Sequence, residues 1–519
     1  MMTLSELVST AGKYILALVV LRTLIVFSYR ILLHPLRSYP GPFIAKLTDF
    51  YGAFYAWKRE LHHITYRDHQ KYGLVMRHGP NKVVFNSAKA IHEIYQNERI
   101  LKSEAYAVTQ IAPNIFNLFN VSDRNIHRTK RRIVGQGLSD RATRQFEPVM
   151  LQQVNTFLNK LLNASKESKP VDMSDACKLL GFDVSVELGF GYNLQLQSSE
   201  VNRWIVNAIS TSNWRINIYI QWPSLKKLNL EKLLLPILLP KVLRYHRLVK
   251  TMVKARRQEE IHARPDLFSS VSDYTDPESG QRLSARELWS EATFLIPAGG
   301  DTTATTMAAT FYYLSRYPAC YARLVQEIRS TFATGVEIKS GPKLASCRYL
   351  RACIDETLRI SPPVGTTLWR DVPRDGLGPA VIDGHAIPEG TLIGVNVYTV
   401  HHNEAYFPDP WTFSPERFLE DGDSYDATQM RDMKAAFSPF SIGYRSCAGK
   451  PLAYLESSVT VAKALWYFDM EMSGDGHGKK VFEMKDQQGS DHSGPELKWR
   501  PRESYWKDLI DTAKKGERG

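Results

Sequence analysis

Hydrophobic positions along this chain change period from one segment to the next, and those changes mark its elements. Tyr14–Leu33, YILALVVLRTLIVFSYRILL, is a 20-residue run broken only by Arg22, Arg30 and a few hydroxyls. About 20 apolar residues cross the hydrocarbon core of a bilayer. Residues 1–33 are therefore expected to form a membrane anchor. An amphipathic or cleaved segment is the alternative, but no A-x-A-like cleavage site follows the run. Arg30, His34, Arg37 and Lys46 lie at or beyond its end, against Glu6 and Lys13 before it. Positive-inside bias then leaves the bulk of the chain cytosolic. Pro35, Pro40, Gly41 and Pro42 predict a stiff, non-helical hinge over residues 34–46.

Beyond the hinge, YGLVMRHGPNKVVFN reads as two strands across a GPN turn. Residues from about 125 to 330 carry mostly helical spacing, which resumes at Leu344–Arg359. After Pro362 come short strand-like runs, TTLWRDV, AVIDGHAI and TLIGVNVYTV, and then a helix from about Gly449 to Trp466. The pattern predicts a mainly α protein with a minor β portion. Trp222–Pro240 is unusually apolar with interleaved lysines. It reads either as a core helix plus loop or as a surface segment that dips into a membrane.

One helical stretch contradicts its own composition. Between LSARELWSEATFLI and TMAATFYYLSRYP lies PAGGDTTATT, with Pro297, Gly299 and Gly300. In a helix interior, Pro costs about 3 kcal/mol and each Gly about 1 kcal/mol relative to Ala. A bend is expected here, sharpened by Pro297.

Composition narrows the function classes. The 519 residues carry a net charge of +12. The basic residues are dispersed, with no zinc-finger spacing and no aromatic-basic RNA motif, so a nucleic-acid partner is not expected. A membrane surface or an acidic redox partner suits the charge better. Five widely spaced cysteines without a CxxC suggest neither a disulfide framework nor a zinc site. A reducing compartment follows. The sequons at Asn120 and Asn163 are then expected to be unused.

The densest chemistry lies in Phe440–Gly449, FSIGYRSCAG, just before an amphipathic helix. A helix N-terminus favours the thiolate of Cys447. Gly443 allows a tight turn, and Gly449 permits close approach to a bulky planar group. Arg445 is a fixed cation suited to a carboxylate or propionate. Together these residues point to a thiolate metal ligand held out from a glycine loop.

FSIGYRSCAG matches the signature F-x-x-G-x-R-x-C-x-G, so the chain resembles the cytochrome P450 family. Glu356-Thr-Leu-Arg359 resembles its E-x-x-R, and Pro415-Glu-Arg-Phe418 resembles the segment whose arginine, Arg417, joins that buried pair. Ala298-Gly-Gly-Asp-Thr-Thr303 resembles its oxygen-activation motif. The resemblance covers essentially the whole chain and implies the P450 fold, a triangular helical body with small β-sheets behind a transmembrane helix. It also implies a single haem-thiolate monooxygenase domain over residues 47–519. Cys447 would ligate the iron of haem b, with Phe440, Gly443, Arg445, Gly449 and Ala298 around the cofactor. Arg131 and His127 occupy the positions of the family's W-x-x-x-R, with His where Trp is usual. Arg370 resembles another propionate-binding arginine. Asp301 and Thr302 would be the catalytic pair that delivers protons.

No flavin or nicotinamide fingerprint occurs, so a separate NADPH-dependent flavoprotein reductase is implied as electron donor, alongside O2. The resemblance places substrate contacts in Ala105–Phe119, around Ser210–Trp222, at Phe294 and Ala298 and across Val364–Leu368; these are largely apolar, implying a hydrophobic small-molecule substrate. ILLHPLRSYPGPF and HHNEAYFPDPWTFSPERFL resemble filamentous-fungal members grouped with benzoate 4-monooxygenases and averantin- or trichothecene-type hydroxylases. That implies oxidation of a terpenoid, polyketide or alkaloid in secondary metabolism, at the endoplasmic reticulum membrane, single-pass, with the catalytic domain cytosolic. Two alternatives remain: a haem-thiolate isomerase, dehydratase or peroxygenase, and a non-catalytic haem- or lipid-binding membrane protein.

Overall fold

In the computed structural model, described residues are 3–227, 231–272, 274–420, 425–473, 481–503, 505–507 and 509. The side chains of 227–239, most of the apolar Trp222–Pro240 stretch, lie outside the described residues, as do those of 241 and 242 and the C-terminal KKGERG. Helix Leu4–Leu32 opens on a capping box, with Thr3 and Glu6 satisfying each other's backbone N–H groups, and buries none of its residues. It is long and apolar enough to cross a membrane.

The hinge is docked rather than free. The Pro40 carbonyl accepts the Arg77 N–H at 2.7 Å, and Leu36 is fully buried. Its non-helical course also ends early, because Phe43–Leu47 is already helical with Pro42 as N-cap.

Helix Ala285–Arg316 runs through the body, started by a capping box between Ser284 and Glu287. It packs along helix Met173–Phe190 and against Glu231–Arg256, Arg348–Ile360 and Lys450–Tyr467. Phe157, Leu180, Phe311, Ile354 and Leu465 belong to one apolar core, and Phe182, Ile205, Tyr245 and Ile296 to a second. The five-stranded sheet places Val75–Gly79 beside Lys82–Phe85, then Leu392–Val395, Arg370–Asp371 and Leu101–Lys102. Lys82–Phe85 and Leu392–Val395 pair in parallel, the other neighbours antiparallel. Smaller sheets include the hairpin Met484–Gln487/Gly489–His492.

One sequence expectation changes. TLIGVNVYTV is strand only to Val395; Asn396 then caps a helix at Val397–His401, accepting from the Thr399 N–H at 2.9 Å. Helix Ala285–Arg316 is assigned continuously through Pro297. A proline at 297 leaves the Thr293 carbonyl without its helical donor. The Tyr245 hydroxyl, from helix Glu231–Arg256, donates to that carbonyl at 2.9 Å. The orphaned acceptor is satisfied from outside, and the helix does not break there. Asn120, of the first sequon, is buried and accepts the Asn117 N–H at 2.9 Å.

Candidate active site

Gly299 and Gly300 let helix Ala285–Arg316 lie close against helix Met173–Phe190. A Cβ at Gly300 would lie 2.5 Å from the Phe182 ring, and one at Gly299 would lie 2.5 Å from the Ser185 hydroxyl. Gly181 answers from the other helix, where a Cβ would meet the Gly300 carbonyl at 2.5 Å. The two helices therefore cross backbone to backbone.

The adjoining face stays partly open. Phe294, Ala298 and Thr302, spaced at i, i+4 and i+8, are half-buried. Phe294 stacks on Phe119 at 4.8 Å. The Thr302 hydroxyl donates to the Ala298 carbonyl at 2.7 Å, one of several threonines bonded to their own helix.

Asp301 turns the other way. It is buried, its Oδ2 has no hydrogen-bond partner, and that oxygen would lie 2.5 Å from a Cβ at Gly489. Burial pushes its pKa up to about 7, with Lys178 pulling down and Asp491 pushing up. Lys178 donates to Asp491 at 2.9 Å, and Asp491 pairs with Arg59 at 3.1 Å, both of the latter partly exposed. A chain of charged groups thus runs from the helix towards the surface.

The cysteine loop is held at several points. The Cys447 N–H donates to the Phe440 carbonyl at 2.9 Å, and the Phe440 ring lies 5.1 Å from Tyr454. Gly443 has φ +75°, and a Cβ there would collide with the Tyr95 carbonyl oxygen. At Gly449 a Cβ would meet only the Cys447 Sγ, at 4.0 Å. Ala448 packs against the apolar cluster that includes Ala292 and Ile296, so loop and long helix share one core.

Cys447 is exposed, yet burial raises its thiol pKa against the N–H groups of Gly449 and Lys450 and the charge of Arg131. Its sulfur is accessible, yet protein atoms crowd it on most sides. The N–H groups at the helix start lower this thiol's pKa, as the sequence predicts, but burial outweighs them.

The candidate cations converge beside the loop. Arg131 donates to the Ser446 carbonyl at 2.7 Å, and Arg445 to the Val121 and Ser122 carbonyls, each at 2.7 Å, while its buried Nε has no partner. Arg370 is buried in its strand and lies 4.8 Å from the Tyr95 ring centroid. His127 is buried 6.0 Å from the Tyr444 ring. Its pKa falls to about 3 through burial, then through Arg445, Lys102, Arg131 and Arg370.

Lys102 was not anticipated. It pairs with Arg370 across the sheet, is buried, and has its Nζ 3.8 Å from the Phe119 ring centroid. Burial, Arg370 and Arg445 depress its pKa well below the usual lysine value. Its signal was weak: LKSEAY is an ordinary strand end, and only the sheet register sets it against Arg370. Among the described residues, no ion pair joins Lys102, Arg131, Arg370 or Arg445 to a carboxylate. Buried cations without anions are costly. The arrangement suits a ligand that brings carboxylates of its own beside a thiolate.

Glu356 is fully buried, bridged by Arg359 at 2.7 and 2.8 Å and by Arg417 at 3.3 Å. These groups are sealed away as a structural triad.

Residues 38–497 match the family model described as Cytochrome P450. The chain is 36% identical over 479 residues to the cytochrome P450 monooxygenase poxM of Penicillium oxalicum, covering 91% of each chain. It is 35% identical over 489 residues to the cytochrome P450 monooxygenase apf7 of Gibberella fujikuroi, covering 89% of this chain and 92% of that one. Over 494 residues it is 35% identical to the cytochrome P450 monooxygenase atnE of Emericella nidulans, covering 91% of this chain and 93% of that one.

Proposed function

The chain belongs to the cytochrome P450 family and is a monooxygenase, and we propose that residues 47–519 form one catalytic domain in which Cys447 would supply the thiolate ligand of haem b. The observation that carries this reading is the cluster of cations without carboxylates beside an accessible cysteine. Arg131, Arg370, Arg445 and Lys102 would hold the two propionates, with neutral His127 among them as a hydrogen-bond donor. Ala298 and Gly449 leave room for the ring. Phe440 and Gly443 fix the loop that carries the sulfur.

When bound, the haem supplies oxygen activation, one atom of O2 going to a substrate C–H bond and the other to water. The chain's own part is proton supply and exclusion of water. The Thr302 hydroxyl, now donating to the Ala298 carbonyl at 2.7 Å, would be able to turn and present its proton on the open face. Asp301, whose pKa burial raises to about 7, would hold a proton at Oδ2, with Lys178 favouring its charged form and Asp491 its neutral one. Phe119, Phe294 and Ala298 line an apolar approach suited to a hydrophobic substrate of the terpenoid, polyketide or alkaloid kind.

Electrons come from a redox partner, which we assign to an NADPH-dependent flavoprotein reductase. The exposed apolar helix Leu4–Leu32 anchors the protein, and we place it in the endoplasmic reticulum with the catalytic domain cytosolic. The test is the carbon monoxide difference spectrum of the dithionite-reduced full chain. A red-shifted thiolate Soret band is expected, and Cys447→Ala abolishes it. A band at the position of a histidine-ligated haem in the unmodified protein refutes the assignment.

A further inference from the structure

Where the anchor meets the globule there is a cleft of about 360 Å³, with Val26, Tyr29 and Arg30 on one side and Arg374, Glu389 and Gly390 on the other. Its charge is unbalanced. Arg30 donates only to the Leu47 carbonyl, and Arg374 makes no hydrogen bond or ion pair with any described residue. Arg374 is nonetheless seated: Gly390 has φ +77°, and a Cβ there would lie 2.5 Å from the Arg374 Nε.

Behind the cleft, Arg77 is fully buried, and among the described residues its guanidinium bonds only to the Pro80 and Arg30 carbonyls, at 2.8 to 3.1 Å. Burial and Arg30 lower its pKa to about 10. Glu389, the carboxylate in the wall, is already engaged by the Gly378 N–H at 3.0 Å and by Arg99 at 3.6 Å.

His34 adds no charge. Its Nδ1 accepts the Leu36 N–H at 3.0 Å, so its Nε2–H donates to Asn81 at 2.7 Å and the ring is neutral. Burial lowers its pKa, and so do Arg77 and Arg30. The cleft therefore offers guanidinium groups and no free anion.

We propose that this cleft binds the phosphate of an anionic phospholipid from the leaflet in which the anchor ends, gripped between Arg30 and Arg374. Its position selects a lipid over a free phosphate. Val26 and Tyr29 belong to the last turns of the membrane helix, so a headgroup seated there continues into acyl chains along the exposed apolar face at Leu18, Leu21 and Ile25. A volume of this size holds a phosphate with its glycerol. The bound lipid would fix the angle between anchor and globule by joining both with one ligand. The inference rests on the membrane-anchor reading.

The test is native mass spectrometry of the full-length, detergent-solubilised protein with equimolar dioleoyl phosphatidic acid and dioleoyl phosphatidylcholine, beside flotation on liposomes. One phosphatidic acid per chain should be retained in preference to phosphatidylcholine. Arg30→Gln and Arg374→Gln should each weaken retention about fivefold, and the pair about twenty-fivefold. Arg431→Gln, an exposed change on a remote helix, should leave retention unaltered. Equal retention of the two lipids, or unchanged retention in Arg374→Gln with an unaltered unfolding curve, would overturn the site. Displacement by millimolar inorganic phosphate overturns the lipid source in favour of a free phosphate. Failure to float on liposomes overturns anchor and site together; flotation without lipid selectivity overturns the site alone.

Discussion

Replacing Tyr245 by phenylalanine removes one oxygen and strands the Thr293 carbonyl, whose helical donor Pro297 has already removed. A buried acceptor left without a partner costs about 1–3 kcal/mol. Thr293 is half-buried, which places the expected cost at about 1–2 kcal/mol. The decisive comparison is a cycle with Pro297→Ala. That change returns an N–H to position 297, so the carbonyl recovers a donor from its own helix. Tyr245→Phe should then cost about 1 kcal/mol less than in the unmodified chain. Urea unfolding of all four proteins, followed by far-UV circular dichroism, measures the coupling. Hydrogen exchange should also show that the amide restored by Pro297→Ala is protected. Costs that add within about 0.5 kcal/mol would refute the idea that Tyr245 replaces the lost donor.

Glu356→Ala leaves Arg359 and Arg417 buried without their carboxylate, at about 3–5 kcal/mol, and should reduce soluble folded protein severely. Gly443→Ala drives a Cβ into the Tyr95 carbonyl at an unfavourable φ, and should weaken the thiolate spectrum while circular dichroism stays near native. Asp301 supplies a pH test. Its folded pKa of about 7 exceeds the unfolded value of 3.8, so the fold loses stability as pH rises between them and the loss saturates above 7. Asp301→Asn should therefore gain stability over the unmodified protein at pH 8 and little at pH 4. Equal differences in urea midpoint at the two pH values would contradict that burial.

Local motifs were legible because their meaning is carried within a few residues. FSIGYRSCAG, Glu356–Arg359 and the helix of Ala285–Arg316 needed no knowledge of distant neighbours. What escaped notice depends on contacts far along the chain. Gly299 and Gly300 look like flexibility in sequence, yet their partners Phe182 and Ser185 lie more than a hundred residues upstream. How the donor lost at Pro297 is replaced escaped the sequence too, since Tyr245 is invisible from the helix itself. Lys102 carries no motif, and its environment exists only once the sheet has set it against Arg370. The hinge was read as a connector for the same reason: its docking partner, Arg77, belongs to a later strand.

The crossing at Gly181 and Gly300 sets the mechanics of the long helix. A Cβ at Gly299 or Gly300 would lie 2.5 Å from Ser185 or Phe182, so the two helices are keyed together over this step and neither has room to slide past the other. The same long helix is tied at Thr305 to His492 of the C-terminal hairpin at 3.1 Å. Helix Ala285–Arg316 is thus clamped from two sides, and even Gly300→Ala should be felt at both.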